Sequence, residues 1–153
     1  MSTLSLDVRT RLGGFRLDAA FAAPATGITC LFGRSGAGKT TLINILAGLV
    51  RPDSGRVALG DEVLFDSERG IDVPPERRGF GYVFQEGRLF PHLTVRGNLL
   101  YGAGRQPAAE RRRRLDHAVE LLAIAPLLAR RPRDLSGGEK QRIAIGRALM
   151  TAP

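Results

Sequence analysis

Gly33-Arg34-Ser35-Gly36-Ala37-Gly38-Lys39-Thr40 fits the pattern G-x-x-x-x-G-K-[ST] without a mismatch, and the fold is read outward from it. Just before it, GITCLF (27–32) is a short apolar run rich in β-formers, expected to form a buried parallel strand. Just after it, TLINILAGL (41–49) has a helical pattern. Strand, glycine-rich loop and helix stand in the order a phosphate-binding loop requires. Glycines at 33, 36 and 38 admit backbone conformations and a close approach that a Cβ would forbid. The N–H groups of residues 33–41, Thr41 included, can therefore turn inward around phosphate oxygens at a helix start, where the macrodipole also favours anions. Lys39 supplies a full positive charge for the β- and γ-phosphates. Thr40 offers a hydroxyl to Mg²⁺, which takes few protein ligands.

At 153 residues the chain is long enough for one domain with a sizeable core, and 43% hydrophobic with 25% charged residues is ordinary globular composition. One cysteine, Cys30, excludes a disulfide framework; lying in the apolar run, it reads as a buried structural thiol. The N-terminus has no basic segment followed by an apolar one, so no signal sequence is expected. No run approaches transmembrane length, and a membrane role has to go through a partner. The net charge of +8 invites a nucleic-acid reading. Against it, the arginines are scattered apart from 111–114, and few aromatics are interleaved with them.

Residues 4–10 and 15–21 alternate as two antiparallel strands with Gly13-Gly14 as their turn. Phe15 is readable either as a residue stacking on a base or as core. The helix after the loop is apolar on nearly every side, is expected to be buried on more than one face, and has to stop before Pro52. A turn at 53–55, strands at 56–59 and 63–65, and a polar loop at 66–78 follow. FGYVF (80–84) reads as another strand with Gln85 at its carboxyl end, where ligands collect in open α/β sheets. From 88 to 133 the pattern is helical, with Leu115, Ala118, Val119 and Leu122 on one face and the arginines on a solvated side. His92 and His117 have no partners at metal-ligand spacing.

LSGGEKQR (135–142) leads into a last helical run. Ser136 can cap that helix, with Glu139 completing a capping box. Gly137 and Gly138 exceed what a cap needs; they bare backbone donors at a second helix start and make a second anion site.

Residues 33–40, Gln85 and LSGGEKQR together resemble the Walker A motif, Q-loop glutamine and signature of the ATP-binding subunits of ABC transporters, in that family's order and spacing. VPPERRGFGYVFQEGRLFPHLTVRGNLLYG (73–102) is similar to the bacterial importer branch and, within it, to molybdate importers. The resemblance implies an α/β P-loop NTPase fold of the ABC ATPase type. It would have edge antiparallel strands, a core over 1–87, an inserted helical subdomain over 88–134, and the signature with its helix over 135–153. It implies ATP and Mg²⁺ as cofactors. Lys39 and Gln85 would be catalytic, Thr40 and Gln85 would face the metal, and residues 33–41 with Ser136, Gly137 and Gly138 would hold nucleotide. The implied partners are a second copy, head to tail with ATP at the interface, transmembrane permease subunits and, indirectly, a periplasmic solute-binding protein. Nucleic acid is not among them. The implied place is the cytoplasmic face of the inner membrane.

The family's Walker B strand, catalytic glutamate and switch histidine would follow Pro153. The expectation is thus an N-terminal part, truncated before Walker B, that binds nucleotide, turns it over negligibly alone and dissolves poorly. The family's adenine-stacking aromatic is missing from its place before Gly13, leaving Phe15 as the candidate. Three competing readings are an importer ATPase for sulfate, iron or another solute, a non-catalytic nucleotide-binding module, and a nucleic-acid-acting ABC ATPase. The last calls for a coiled coil or extra domain within 41–134, and none interrupts that span.

Overall fold

The computed structural model describes residues 2–104 and 106–151; Met1, Arg105, Ala152 and Pro153 lie outside them. The chain forms two units, Met1–Arg78 and Gly79–Pro153.

In the first unit, β1 (Thr3–Leu12) and β2 (Phe15–Pro24) form the expected hairpin, in register from Leu12↔Phe15 to Thr3↔Pro24. Leu6, Val8 and Thr10 are buried at the two-residue period of a strand. β3 (Ser54–Leu59), β4 (Glu62–Asp66) and β5 (Ile71–Asp72) complete an antiparallel sheet in the order β2-β1-β3-β4-β5. Ser54 and Gly55 thus open a strand rather than a turn. A bulge between Val57 and Ala58 lets both neighbours be buried.

Two expected strands do not form. Residues 27–32 and 80–84 join no ladder of the described sheet, because a strand exists only through the neighbour that completes its ladder. Ile28 and Phe32 are 93% and 101% exposed, and Cys30 is exposed rather than buried. The helix α1 (Lys39–Leu46) is also less enclosed than its composition suggests. Leu42 and Ile45 are buried while Ile43 and, just beyond the helix, Leu49 stand 43% and 47% exposed.

Arg78 closes the first unit. Its guanidinium, 2% exposed, donates to the carbonyls of Ile45 (2.8 Å) and Leu46 (3.0 Å) at the end of α1, to Val73 O (2.7 Å) and to Asp72 Oδ1 (3.2 Å). A cation is thereby fixed where the helix dipole is negative. Burial lowers its pKa and Asp72 raises it, and a guanidinium keeps its charge throughout.

The second unit is helical: α2 (Val95–Gly102), α3 (Ala108–Leu121) and α4 (Gly137–Met150), with two 3-10 turns, Ala125–Leu127 and Pro132–Asp134, between α3 and α4. Leu99, Leu115, Ala118, Ile124 and Ile143 make its core. α2 and α4 approach closely because a Cβ on Gly146 would stand 2.7 Å from Leu99 Cδ2, and one on Gly102 would strike the Arg147 carbonyl. On α3, Leu115 and Ala118 face inward. Arg113 and Arg114 pair with Glu110 at 2.9 and 2.7 Å, so these arginines lie on the polar side, as the spacing predicts. Asn98, fully buried, accepts from Phe90 N–H (2.8 Å) and donates to the carbonyls of Phe90 (3.1 Å) and Thr94 (3.0 Å), pinning the 90–94 segment to α2.

Candidate functional site

The loop at 33–40 wraps around the start of α1. Gly36 (φ 81°) and Gly38 (φ 88°) are left-handed, the region in which a Cβ is strained. At Gly38 space is also short, since a Cβ would meet Phe15 Cζ at 2.8 Å and Leu17 Cδ1 at 3.0 Å. Lys39 Nζ donates to Gly33 O (2.7 Å) and Arg34 O (2.8 Å), so the ammonium is held over its own loop. Ala37 N–H donates to Arg34 O (3.2 Å) and is engaged inside the loop.

No side chain caps α1, and its first turn carries no acidic residue. Its leading N–H groups have no intrahelical partner. They border a hollow of about 500 Å³ lined by Leu12, Phe15, Ser35, Gly36, Gly38, Lys39, Thr40 and Thr41. Phe15 therefore stands beside the loop. This is the chemistry of an anion cradle: orphan donors, a dipole and one fixed cation, with an apolar wall at one side. For Mg²⁺ the fit is of one kind only. Among the described residues no group of three or more His, Cys, Asp or Glu could hold a metal ion, so one here would ride on phosphate oxygens with Thr40 as a protein ligand.

Gln85 and the signature lie in the second unit. Gln85 is exposed at the apex of a turn closed by Gly87 N–H to Phe84 O (3.0 Å), not at a strand end. The Ser136 hydroxyl accepts from Glu139 N–H (3.3 Å) and Glu139 Oε2 accepts from Ser136 N–H (2.7 Å), which is the expected capping box. That backbone hydrogen bond, seconded by the Ser136 side chain, holds the Glu139 carboxyl below the ordinary glutamate range. A depressed folded-state pKa means the cap's contribution is complete above the unfolded value and is lost as pH falls through the folded one. The Ser136 amide resonance is therefore expected to titrate with a midpoint below that of a free glutamate, and Glu139→Gln is expected to abolish the titration; a midpoint at or above the free value would contradict it.

Gly137 and Gly138 are exposed, and a Cβ on either would meet nothing within 4 Å. Neither is left-handed. Nothing among the described residues asks for glycine at these positions.

Sequence reasoning missed two arginines. Arg78 ties off the helix that carries Lys39, and Arg147 on α4 donates to the carbonyls of Gly87 (3.3 Å) and Arg88 (3.0 Å), just past Gln85. The sequence carries no sign of the carbonyl clusters they serve.

Residues 18–153 match the family model described as ABC transporter. The chain is 61% identical over 150 residues to the molybdenum import ATP-binding protein ModC of Paramagnetospirillum magneticum, covering 98% of this chain and 41% of that protein. To ModC of Rhizobium etli it is 58% identical over 151 residues, covering 99% and 42%. It thus spans about two fifths of the length of the curated relatives it matches. Among solved structures it is similar to dimeric MJ0796, a bacterial ABC transporter cassette, with TM-score 0.74 and 26% identity over 98% of this chain and 70% of that one. It is also similar to an ATP-binding subunit of an ABC transporter, with TM-score 0.79 and 27% identity over 96% and 62%.

Proposed function

Because the chain belongs to the ABC transporter family, we propose that it is the nucleotide-binding part of a subunit that binds and hydrolyses ATP to energise molybdate import. The names of its relatives support the solute, and the cradle at 33–41 supports the nucleotide. An ammonium has three donors. Two of Lys39's are on loop carbonyls, which leaves one for a phosphate oxygen. The uncapped start of α1 adds backbone N–H groups, and the apolar wall of Leu12 and Phe15 suits a base. Mg²⁺, when bound with the nucleotide, would take the Thr40 hydroxyl as a protein ligand and would neutralise charge on the phosphates, and the family resemblance alone assigns Gln85 to the same ion.

A second copy of the subunit completes the site, packed head to tail so that Ser136, Gly137 and Gly138 of one close on the nucleotide held by the other. Nucleotide then acts as glue, and closure drives permease subunits docked near Gln85 and the helical segment after it. The solute-binding protein acts through those permeases. No described helix is long and apolar enough to cross a membrane, and in this reading the subunit sits on the cytoplasmic face, held there by its partners. The functional division follows the motifs: loop and hairpin over 1–87, helical subdomain over 88–134, signature and its helix over 135–153.

One observation carries the pairing: two adjacent glycines at a helix start that neither conformation nor packing requires. Glycine lowers helix stability by up to about 1 kcal/mol relative to alanine. Gly138→Ala is therefore expected to leave the melting temperature of the full-length subunit unchanged or slightly raised. The same change places a methyl where another molecule has to approach, so ATP-driven dimerisation, read by analytical ultracentrifugation, is expected to weaken about tenfold or more. Undiminished dimerisation of the stable variant would refute the arrangement.

A further inference from the structure

We propose that Arg147 is a positioning residue that fastens the turn carrying Gln85 to the signature helix α4, so that Gln85 and the helix start at Ser136 move as one body. The inference rests on the nucleotide-binding reading above and deepens it.

The turn is held from one side by α4. Arg147 Nη1 donates to Arg88 O at 3.0 Å and Nη2 to Gly87 O at 3.3 Å, and its guanidinium lies 5.1 Å from the centroid of the Phe90 ring. Seven residues earlier on the same helix, the Lys140 carbonyl comes so near that a Cβ on Gly87 would stand 3.3 Å from it. Residues 140 and 147, two helical turns apart, share a face, so α4 grips the turn at two points. From the other side Asn98 holds both polar atoms of the Phe90 backbone.

The held conformation is not one the chain adopts unaided. Gly87 (φ 70°) and Arg88 (φ 39°) are consecutive left-handed residues, and for arginine that is strained. Two carbonyls pointing the same way onto one planar guanidinium are the compensation, because a fork of donors satisfies both at once. Burial lowers the Arg147 pKa, in keeping with a guanidinium set into the fold rather than waving from it. Ser136 lies about three helical turns before Arg147 on α4, so a shift of the capped end carries the Gln85 turn with it. Phe84 and Arg88, stacked at 4.5 Å, close the turn's other end.

The test uses the full-length subunit and two readouts. Arg147→Ala is expected to raise backbone hydrogen exchange at residues 85–88 about tenfold or more, with exchange at Leu99 and Ile143 unchanged. It is expected to lower kcat for ATP about tenfold with KM within about threefold, because Lys39 and the loop are untouched. Arg147→Lys, which reaches one carbonyl at a time, is expected to fall between the two. Adding Arg88→Gly, which removes the left-handed strain, is expected to restore part of the lost protection. Unchanged exchange at 85–88 in a folded variant, or a loss of kcat shared by equal loss in KM and melting temperature, would overturn the proposal. If Arg147→Ala does not fold, Arg147→Lys decides by the same readouts. A wild-type subunit that bound no nucleotide would instead refute the function proposed above, while the exchange result would still judge Arg147.

Discussion

Lys39→Ala is expected to remove nearly all discrimination between nucleotides by phosphate number. A hydrogen bond from a charged donor contributes about 1.5–3 kcal/mol, so losing the one Lys39 donor left for a phosphate oxygen weakens ATP about 10- to 10²-fold and AMP little. The same nitrogen also holds the carbonyls of Gly33 and Arg34, so its removal loosens the loop it crosses. Titration calorimetry with ATP, ADP and AMP separates the two effects. A loosened loop weakens all three alike, whereas a lost charge weakens them in order of phosphate number. Equal affinity of wild type and variant for ATP would remove the phosphate-binding role of the loop altogether.

Arg78→Ala is expected to destabilise the first unit by about 2–4 kcal/mol, the range for buried carbonyls left without a donor plus the space emptied. The loss has identifiable parts. The carbonyls of Ile45 and Val73 lose their donor in a region water reaches poorly, and the space the side chain filled beside Gly48 empties. Asp72, 38% exposed, is rehydrated and contributes least. Arg78→Lys is expected to recover less than half, since one ammonium cannot reach acceptors spread over a planar fork. Denaturant titration with a probe in the sheet measures both, and a loss below about 1 kcal/mol for alanine would contradict the account.

Much of this architecture is legible from the residues alone, and the reasons are local. The alternation of 4–10 and 15–21 around Gly13-Gly14 contains its own pairing instruction, and Ser136 with Glu139 contains a complete helix start. The loop at 33–40 is equally self-describing, because its glycines and lysine act on backbone within a few residues. What is not legible depends on segments distant in the chain. GITCLF has the composition of a buried strand, yet its ladder requires a neighbour, and Ile28 and Phe32 stand open without one. Arg78 and Arg147 belong to the same class. An arginine's destination is set by carbonyls brought together from 33 or 59 residues away, and no window of sequence displays them. Gly137 and Gly138 stand out for the opposite reason, as residues that local rules do not require.

The open run ahead of the loop also gives the molecule a built-in handle. Cys30 is the one thiol in 153 residues, solvent-facing and three positions before Gly33. On a chain of these 153 residues a maleimide fluorophore or nitroxide spin label attaches at that one thiol, so emission or line shape reports on the loop with no cysteine to engineer in.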